Sequence, residues 1–373
     1  MARTSTRPRR RGLRAGLHYH LELPSAASGD DVCSDLVLLT LHGFGNRIRS
    51  LAAAWSLAAE MRRRLHLEWR CDDTCGAAFE DLFENTLQNG DTLRVNSLTA
   101  LSARACYDNN CAFRTKLSVY EGSCIDTVEL FSSDLTRLAD DAAPVAALRG
   151  SAIPTTLVRG DTKQRVAGAK ADRIHLAEQR ADGKLKGAFY RNLVPSKGVQ
   201  ELMDSAIERI SDMQAHAGLE LMLIGVHVRQ GDALDKQQQY FFRDLSGGKH
   251  NDDFVESFCV EMANAKERAV SEGKRAIFFV ASDQERARVT LRERFGAEEV
   301  IEIAPPWSEE VSAVDVCDAD GGEGRVGRGR RQMQHAVAEW LMLARSELLI
   351  RSRKSSFSDE AALQYGVRCV DIG

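Results

Sequence analysis

Apolar and polar positions alternate in blocks near the start of the chain. The run "LVLLTL" is followed by the glycine turn "HGFGN", by a segment whose apolar residues recur at helical spacing, and by a second run, "LHLEW". Short continuous apolar runs are typical of strands buried on both faces, whereas recurrence at i, i+3 and i+4 is typical of an amphipathic helix. The pattern predicts a β–α–β unit over residues 35–69, followed by "CGAAFEDLF" as a short helix or turn.

The same alternation returns from residue 219 onwards. The runs "LELMLIGVHV", "RAIFFVAS", "EVIEI" and "ELLI" alternate with amphipathic helices, after a helix over residues 196–217 with Gly218 as its C-cap. Strands that alternate with helices predict a parallel sheet covered on both faces. Residues 85–200 are weakly patterned, and "PTTLVRGDTKQ" within them is typical of a loop. We therefore expect an α/β protein of two Rossmann-like domains that face a cleft.

Length and charge divide the chain further. At 373 residues it exceeds the roughly 250–300 residues at which a single core stops growing, so two domains are expected. Residues 1–30 start with an arginine-rich stretch without acids, which predicts a disordered basic tail. The N-terminal domain is then expected over residues 31–217 and the C-terminal domain over residues 218–373.

Composition restricts the classes of function. A net charge of -4 argues against a general nucleic-acid binder, which carries a basic excess. The apolar runs are far shorter than the roughly 20 residues of a membrane span. With neither a span nor a secretory signal visible, the compartment is left open. The cytoplasm is the expectation, with the Golgi as the alternative if the N-terminus is incomplete.

The nine cysteines are scattered and lie away from histidine clusters. Cys71 and Cys75, in "CDDTC", lack the second ligand pair of a structural zinc site, so no metal centre is expected. Cys106 and Cys111 could close a loop by a disulfide, or remain buried free thiols. The sequence alone leaves both alternatives open.

Candidate chemistry lies where the predicted strands end. In open α/β sheets ligands bind beyond the carboxyl ends of the strands. Four stretches follow strands here: "HGFGN", "HVRQGD", "ASD" and "SSFSDEAA". Their candidate binding residues are Gly43, Gly45, Asn46, His227, Arg229, Asp283, Ser355, Ser356 and Phe357.

Most of these residues have a purely structural explanation as well. The glycines could only form a turn, Asp283 could be an N-cap, and Ser356 with Asp359 fits a capping box. Arg229 is harder to explain in that way, because an arginine after a buried run must pair with a carboxylate or meet a phosphate. Together, the four stretches indicate a nucleotide-diphosphate site.

A dinucleotide-binding enzyme is the alternative from another class. "GFGNRI" fits part of the G-x-G-x-x-G fingerprint, and Glu68 lies near the position of a ribose-binding acid. The third glycine position, however, is Ile48. Its bulk opposes close packing of the helix on the strand, so we rank an NAD-dependent oxidoreductase below a sugar-nucleotide enzyme.

In this order, the motifs resemble the fucosyltransferase-like superfamily of α1,6-fucosyltransferases, nodulation fucosyltransferases and protein O-fucosyltransferases. "GFGNRIRSLAAAWSLA" and "WRCDDTCGAAFEDLF" are similar to its N-terminal segments, and "GVHVRQGD" to its HxRR motif. "FFVASD" and "AVAEWLMLARSELLIRSRKSSFSDEAA" are similar to its second and third C-terminal motifs. The resemblance covers residues 36–84 and 220–366.

This resemblance implies a GT-B fold and an inverting transfer of fucose from GDP-fucose to a glycan or protein hydroxyl, without a metal or further cofactor. It implies that Arg229 holds the diphosphate and that Asp283 reads the guanine. The serines and Phe357 of the third C-terminal motif would contact phosphate and base, and Gly45 with Asn46 would reach the phosphates from the other domain. His227 would line the same pocket, or face the core.

The chain also departs from the family pattern. The second arginine of HxRR is Gln230, and Gln237 stands where α1,6-type members carry a candidate catalytic base. The resemblance leaves Asp232 or Asp235 as the base, or a substrate-assisted route. These departures keep open a catalytically silent relative that binds a GDP-sugar or a glycan. The acceptor, whether glycan, lipid-linked oligosaccharide or protein, is also open.

Overall fold

Two parallel five-stranded sheets form the framework of the protein. The computed structural model describes residues 35–40, 43–61, 64–71, 75–98, 125–128, 155–160, 186–229, 251–304, 329–353 and 355–373. Within these residues the strands of the first sheet lie in the order 94–98, 64–70, 35–40, 155–160 and 125–128, and those of the second in the order 368–372, 348–352, 220–228, 274–282 and 300–301. Two sheets of this kind, covered by helices, confirm the predicted α/β class with two Rossmann-like halves.

The first sheet follows the predicted β–α–β opening. Its elements are β1 (Asp35–Thr40), α1 (Phe44–Met61), β2 (Arg64–Arg70), α2 (Phe79–Leu82), β3 (Arg94–Leu98), β4 (Ile125–Val128) and β5 (Thr155–Gly160). The loop predicted at "PTTLVRGDTKQ" is wrong, because β5 lies within it and pairs with β1. Its threonines, leucine and valine suit a strand, and the turn signals on either side hid them.

The half of the protein built on the second sheet contains the strands and helices predicted after residue 219. Its elements are α3 (Lys197–Ala217), β6 (Glu220–Val228), α4 (Asn251–Ser271), β7 (Lys274–Ser282), α5 (Glu285–Phe295), β8 (Val300–Ile301), α6 (Arg330–Leu343), β9 (Leu348–Ser352), α7 (Ser356–Tyr365) and β10 (Arg368–Ile372). Gly218 ends α3 in the left-handed region (φ 62°), as predicted for a C-cap. Strand β10 was not predicted.

Side chains of β6 alternate between two layers of the core. Leu221 and Leu223 belong to one buried cluster, which includes residues of α1, α3 and α6, whereas Ile224 and Val226 pack with α4 and α5. Because successive strand residues point to opposite faces, His227 continues the face of Leu223. That face is the one toward α1, α6 and α7.

The two halves share that first cluster. Phe44 of α1 packs against Trp340 of α6, with ring centroids 5.4 Å apart, and Tyr190 packs against the same indole at 5.4 Å. Met203 of α3 lies in the same cluster. The predicted boundary between residues 217 and 218 falls between α3 and β6 and stays a prediction. The shared cluster brings the N-terminus of α1 against the second half.

Other sequence predictions meet the described residues only in part. Cys71 and Cys75 are both buried. Cys106, Cys111 and residues 1–30 lie outside the described residues. Among the helices that the structure describes, none is long and apolar enough to cross a bilayer.

Candidate functional site

Three neighbouring strands of the second sheet, β9, β6 and β7, end at the same edge. Two buried serines fix the end of the central strand there. The Oγ atom of Ser352 accepts a hydrogen bond from the backbone N–H of Arg229 (2.8 Å), and the Oγ atom of Ser282 donates to the carbonyl of Val228 (3.0 Å). Side-chain hydrogen bonds thus connect the three strands at the carboxyl edge of the sheet, where Arg229 follows β6.

Arg229 pairs with Asp283 across this edge. Its Nη1 atom lies 2.9 Å from Oδ2 of Asp283, and the two side chains are 32% and 15% exposed. The sequence left a carboxylate or a phosphate as partner, and the structure contains the carboxylate. A guanidinium carries five N–H donors, so a contact with one carboxylate oxygen does not exhaust its capacity for an anionic ligand. The residue at the N-cap of α5 is Gln284 rather than Asp283.

The capping box predicted for Ser356 and Asp359 is wrong. Helix α7 begins at Ser356 with Ser355 as its N-cap, and the side chain of Ser355 makes no cap hydrogen bond. Asp359 instead forms ion pairs with Arg49 (3.3 Å) and Arg351 (2.9 Å), and two arginines compete successfully with a single backbone N–H. The first turn of α7 therefore has no side-chain cap from Ser355, and the carboxylate of Asp359 is paired with the two arginines rather than with backbone N–H groups.

Gly45 allows the N-terminus of α1 to touch that of α7. A Cβ atom on Gly45 would lie 2.8 Å from the backbone nitrogen of Phe357 and 2.8 Å from Oγ of Ser356. The carbonyl of Gly43 accepts from the backbone N–H of Asn46 (3.0 Å), which starts the helix. The glycine stretch and the serine stretch, far apart in sequence, thus meet in one place.

His227 lies beside Phe357 with one ring nitrogen unpartnered among the described residues. The side chain is buried, its ring centroid is 5.0 Å from that of Phe357, and Nδ1 makes no hydrogen bond. Burial, reinforced by the charges of Arg229, Arg351 and Arg288, lowers the pKa of His227 to about 3. At neutral pH the imidazole is therefore uncharged, and its Nδ1 atom is available for a hydrogen bond.

A buried ion pair connects α1 to α7 behind these contacts. Arg49 bonds to Glu360, and the hydroxyl of Tyr190 donates to the same carboxylate. Burial disfavours the charged form of Glu360, but the cations of Arg49 and Lys186 and the Tyr190 hydrogen bond together lower its pKa. The cluster holds the two helix N-termini against each other.

The structure brings most of the predicted residues to this edge. Gly45, Ser356, Phe357 and His227 form one set of contacts, and Arg229 pairs with Asp283. Ser355 is buried at the start of α7, and Asn46 lies in the first turn of α1. The two candidates for the catalytic base, Asp232 and Asp235, lie outside the described residues. Among the described residues, no cluster of metal-ligating side chains occurs.

Sequence reasoning missed several residues that shape the site. Ser282 and Ser352 are the last residues of their strands, a position that could have drawn attention to them. Arg49 and Arg288 stand in helices that contain other arginines, and no pattern singled out these two. Arg351, the residue before the last of β9, forms ion pairs with two carboxylates, Asp359 and Asp371.

Replacing Gly45 by alanine is expected to separate α1 from α7. The new methyl group would meet backbone, which cannot rotate away, and such overpacking costs about 1–3 kcal/mol of stability. Chemical denaturation measures this cost. Gly198 is the matched control: it is likewise the second residue of its helix, but its Cβ would meet the movable side chain of Gln334. Equal losses for both alanine variants would contradict the assigned contact.

Comparison with known proteins gives similar structures but no sequence match. No protein-family model and no curated protein matches the chain. Fucosyltransferase NodZ from Bradyrhizobium is similar at 18% identity and a TM-score of 0.48, over 88% of this chain and 92% of that chain. A mutant of Arabidopsis thaliana FUT1 in complex with GDP is similar at 15% identity and a TM-score of 0.48, over 92% of this chain and 71% of that chain. POFUT1 in complex with GDP is similar at 14% identity and a TM-score of 0.44, over 92% of this chain and 100% of that chain.

These three solved structures are fucosyltransferases, the class that the motifs resemble. At such identities and scores the likeness does not assign an activity to this chain.

Proposed function

We propose that the protein is a glycosyltransferase of the fucosyltransferase-like superfamily, with a GT-B fold, that transfers fucose from GDP-fucose to a hydroxyl group of a glycan or protein. The observation that carries this proposal is the Arg229–Asp283 pair, at the ends of adjacent strands. At the same edge the N-termini of α1 and α7 meet at Gly45. A guanidinium beside helix N-termini suits a diphosphate, and a carboxylate suits the N–H edge of guanine.

Each group has a separate task in this proposal. The guanidinium of Arg229 binds the diphosphate and stabilises the negative charge that develops on GDP as the bond to fucose breaks. Asp283 accepts from the guanine, while Ser355, Ser356 and Phe357 offer hydroxyl and backbone donors to phosphate and base. The acceptor hydroxyl attacks the anomeric carbon from the opposite side, which inverts its configuration. No step requires a metal, because the protein's own cations neutralise the leaving group.

The proton of the acceptor hydroxyl has two candidate recipients in the chain, Asp232 and Asp235, and a substrate-assisted route is the alternative. His227 does not suit this task, because a group with a pKa of about 3 takes up protons poorly at neutral pH. Its neutral ring is better suited to a hydrogen bond with the bound donor.

A silent relative that binds GDP-sugars without turnover is the second candidate. Gln230 in place of the second HxRR arginine motivates it, since one fixed cation fewer weakens stabilisation of the leaving group. The NAD-dependent alternative is weaker. Ile48, at the third glycine position, is fully buried, and Gly45 contacts α7.

Release of GDP separates the two main candidates. We expect the protein to release GDP from GDP-fucose when an acceptor from a glycan or glycoprotein panel is present, and to do so with a chelator added. Other GDP-sugars serve as the donor controls. Binding of GDP without release on any acceptor would support the silent relative, and an absorbance or fluorescence response to NADH would support the oxidoreductase.

A further inference from the structure

Strand β7 extends past its neighbour, the edge strand β8, at the end nearest the candidate site. Strand β8 has two residues and pairs with Phe278 and Phe279, and the N–H of Phe278 donates to the carbonyl of Glu299 on that side (2.8 Å). Alternate residues of a strand direct their backbone groups to the same neighbour. The carbonyl oxygens of Val280 and Ser282 therefore face an edge where β8 has already ended. Buried carbonyls at such an edge need another donor.

Arg288 of α5 is that donor. Its Nε and Nη2 atoms donate to the carbonyl of Ser282 at 3.1 and 2.6 Å, and its Nη1 atom donates to that of Val280 at 3.5 Å. The side chain is 0% exposed, and Glu339 (2.6 Å) and Glu302 (3.7 Å) balance its charge. The planar guanidinium can reach several acceptors at once, which suits it to replace the missing strand partner.

The opposite side of Ser282 is held as well. Its Oγ atom donates to the carbonyl of Val228 (3.0 Å) and accepts from the N–H of Gln284 (3.1 Å). Asp283 lies between these fixed residues, and its carboxylate faces Arg229. The direction of this carboxylate therefore depends on how firmly the backbone before it is held.

We propose that Arg288 is a positioning residue for nucleotide recognition. By holding the carbonyl of Ser282 it directs the carboxylate of Asp283, and it thereby sets the preference for guanine over other bases. The inference rests on the proposed function, in which Asp283 reads the base. A residue that only stabilised the fold would affect all nucleotides alike, whereas a positioning residue changes the ratio between them.

Dissociation constants for GDP and ADP, measured by calorimetry on folded protein, test this inference. In Arg288→Met we expect the preference for GDP over ADP to fall about tenfold, the order expected when a well-placed hydrogen bond is lost, with ADP affinity little changed. Arg288→Lys should recover part of the preference, since an ammonium still donates but does not reach several acceptors in one plane. Arg292→Met is the matched control on the same helix. Arg292 bonds Glu302, whereas Arg288 bonds the carbonyl of Ser282, so the preference for GDP should be unchanged in this control.

The double variant Arg288→Met/Glu339→Met keeps the test decisive if the single variant does not fold, because it removes both charges of the buried pair together. An unchanged GDP preference in the folded variants would overturn the positioning role alone. A wild-type protein without any preference for GDP over ADP would overturn both this role and the proposed function.

Discussion

Exchanging Arg229 and Asp283 for each other is expected to slow fucosyl transfer by about 10²–10³-fold while preserving the fold. The double variant Arg229→Asp/Asp283→Arg retains opposite charges at the two strand ends, so the ion pair can form again. It moves the cation away from the place assigned to the diphosphate and puts a carboxylate there. Removal of a preorganised donor from a developing anion costs about 10²–10³-fold in rate, and the same loss is expected for Arg229→Ala. GDP-release kinetics measure the effect.

The stability of these variants separates the two explanations of Arg229. A partly exposed ion pair contributes about 0–1 kcal/mol, so thermal unfolding should change little in any of them. Lys266 and Glu299 form the matched control pair, 2.6 Å apart with side-chain exposures of 43% and 14%. Lys266→Ala should leave transfer unchanged. If the exchanged pair restored transfer to near the wild-type rate, Arg229 would be a structural residue and its assigned role would be wrong.

Replacing Glu360 by alanine is expected to have the largest effect on stability. The change removes the buried carboxylate that pairs with Arg49, leaves that cation with the partly exposed Asp359, and removes the acceptor of the Tyr190 hydroxyl. Breaking a buried pair on one side costs about 3–5 kcal/mol. Denaturant unfolding should show a loss of this size, together with weaker GDP binding, because α1 and α7 would no longer be held together.

Two controls and a pH series complete this test. Arg49→Met/Glu360→Leu removes both charges and should recover much of the loss, whereas Glu256→Ala, in an exposed pair, should cost about 0–1 kcal/mol. The folded-state pKa of Glu360 is lowered from 4.5, so its contribution is present above that pH and is lost as the pH falls through the folded pKa. The stability difference between wild type and Glu360→Gln should therefore shrink in acid. A difference that grows in acid would contradict the assignment.

The periodic parts of the sequence predicted the fold well. Glycine turns and apolar runs gave α1, β6 and β7 and their neighbours, because burial imposes a period on each element. The middle of the chain was harder to interpret. Strand β5 is short, and turn residues flank it, so its local pattern resembles a loop although it pairs with β1. Pairing with a distant strand is a tertiary effect that a local pattern does not contain.

The candidate site was predicted from strand ends, but the contacts between its residues were not. Arg229 and Asp283 could each be singled out from the sequence, whereas their pairing depends on β6 and β7 being neighbours. Gly45 was expected to form a turn or approach a ligand, and its contact with Phe357 of α7 requires the two halves to meet. Arg288 gave no signal, because its burial follows from the early end of β8.

Calorimetric titration with GDP tests the central claim most directly, because it requires neither an acceptor nor turnover. We predict saturable binding of GDP to the wild-type protein, accompanied by a rise in its thermal unfolding temperature, and much weaker binding to Arg229→Ala at unchanged stability. Absence of both a binding heat and a thermal shift at millimolar GDP would contradict the account.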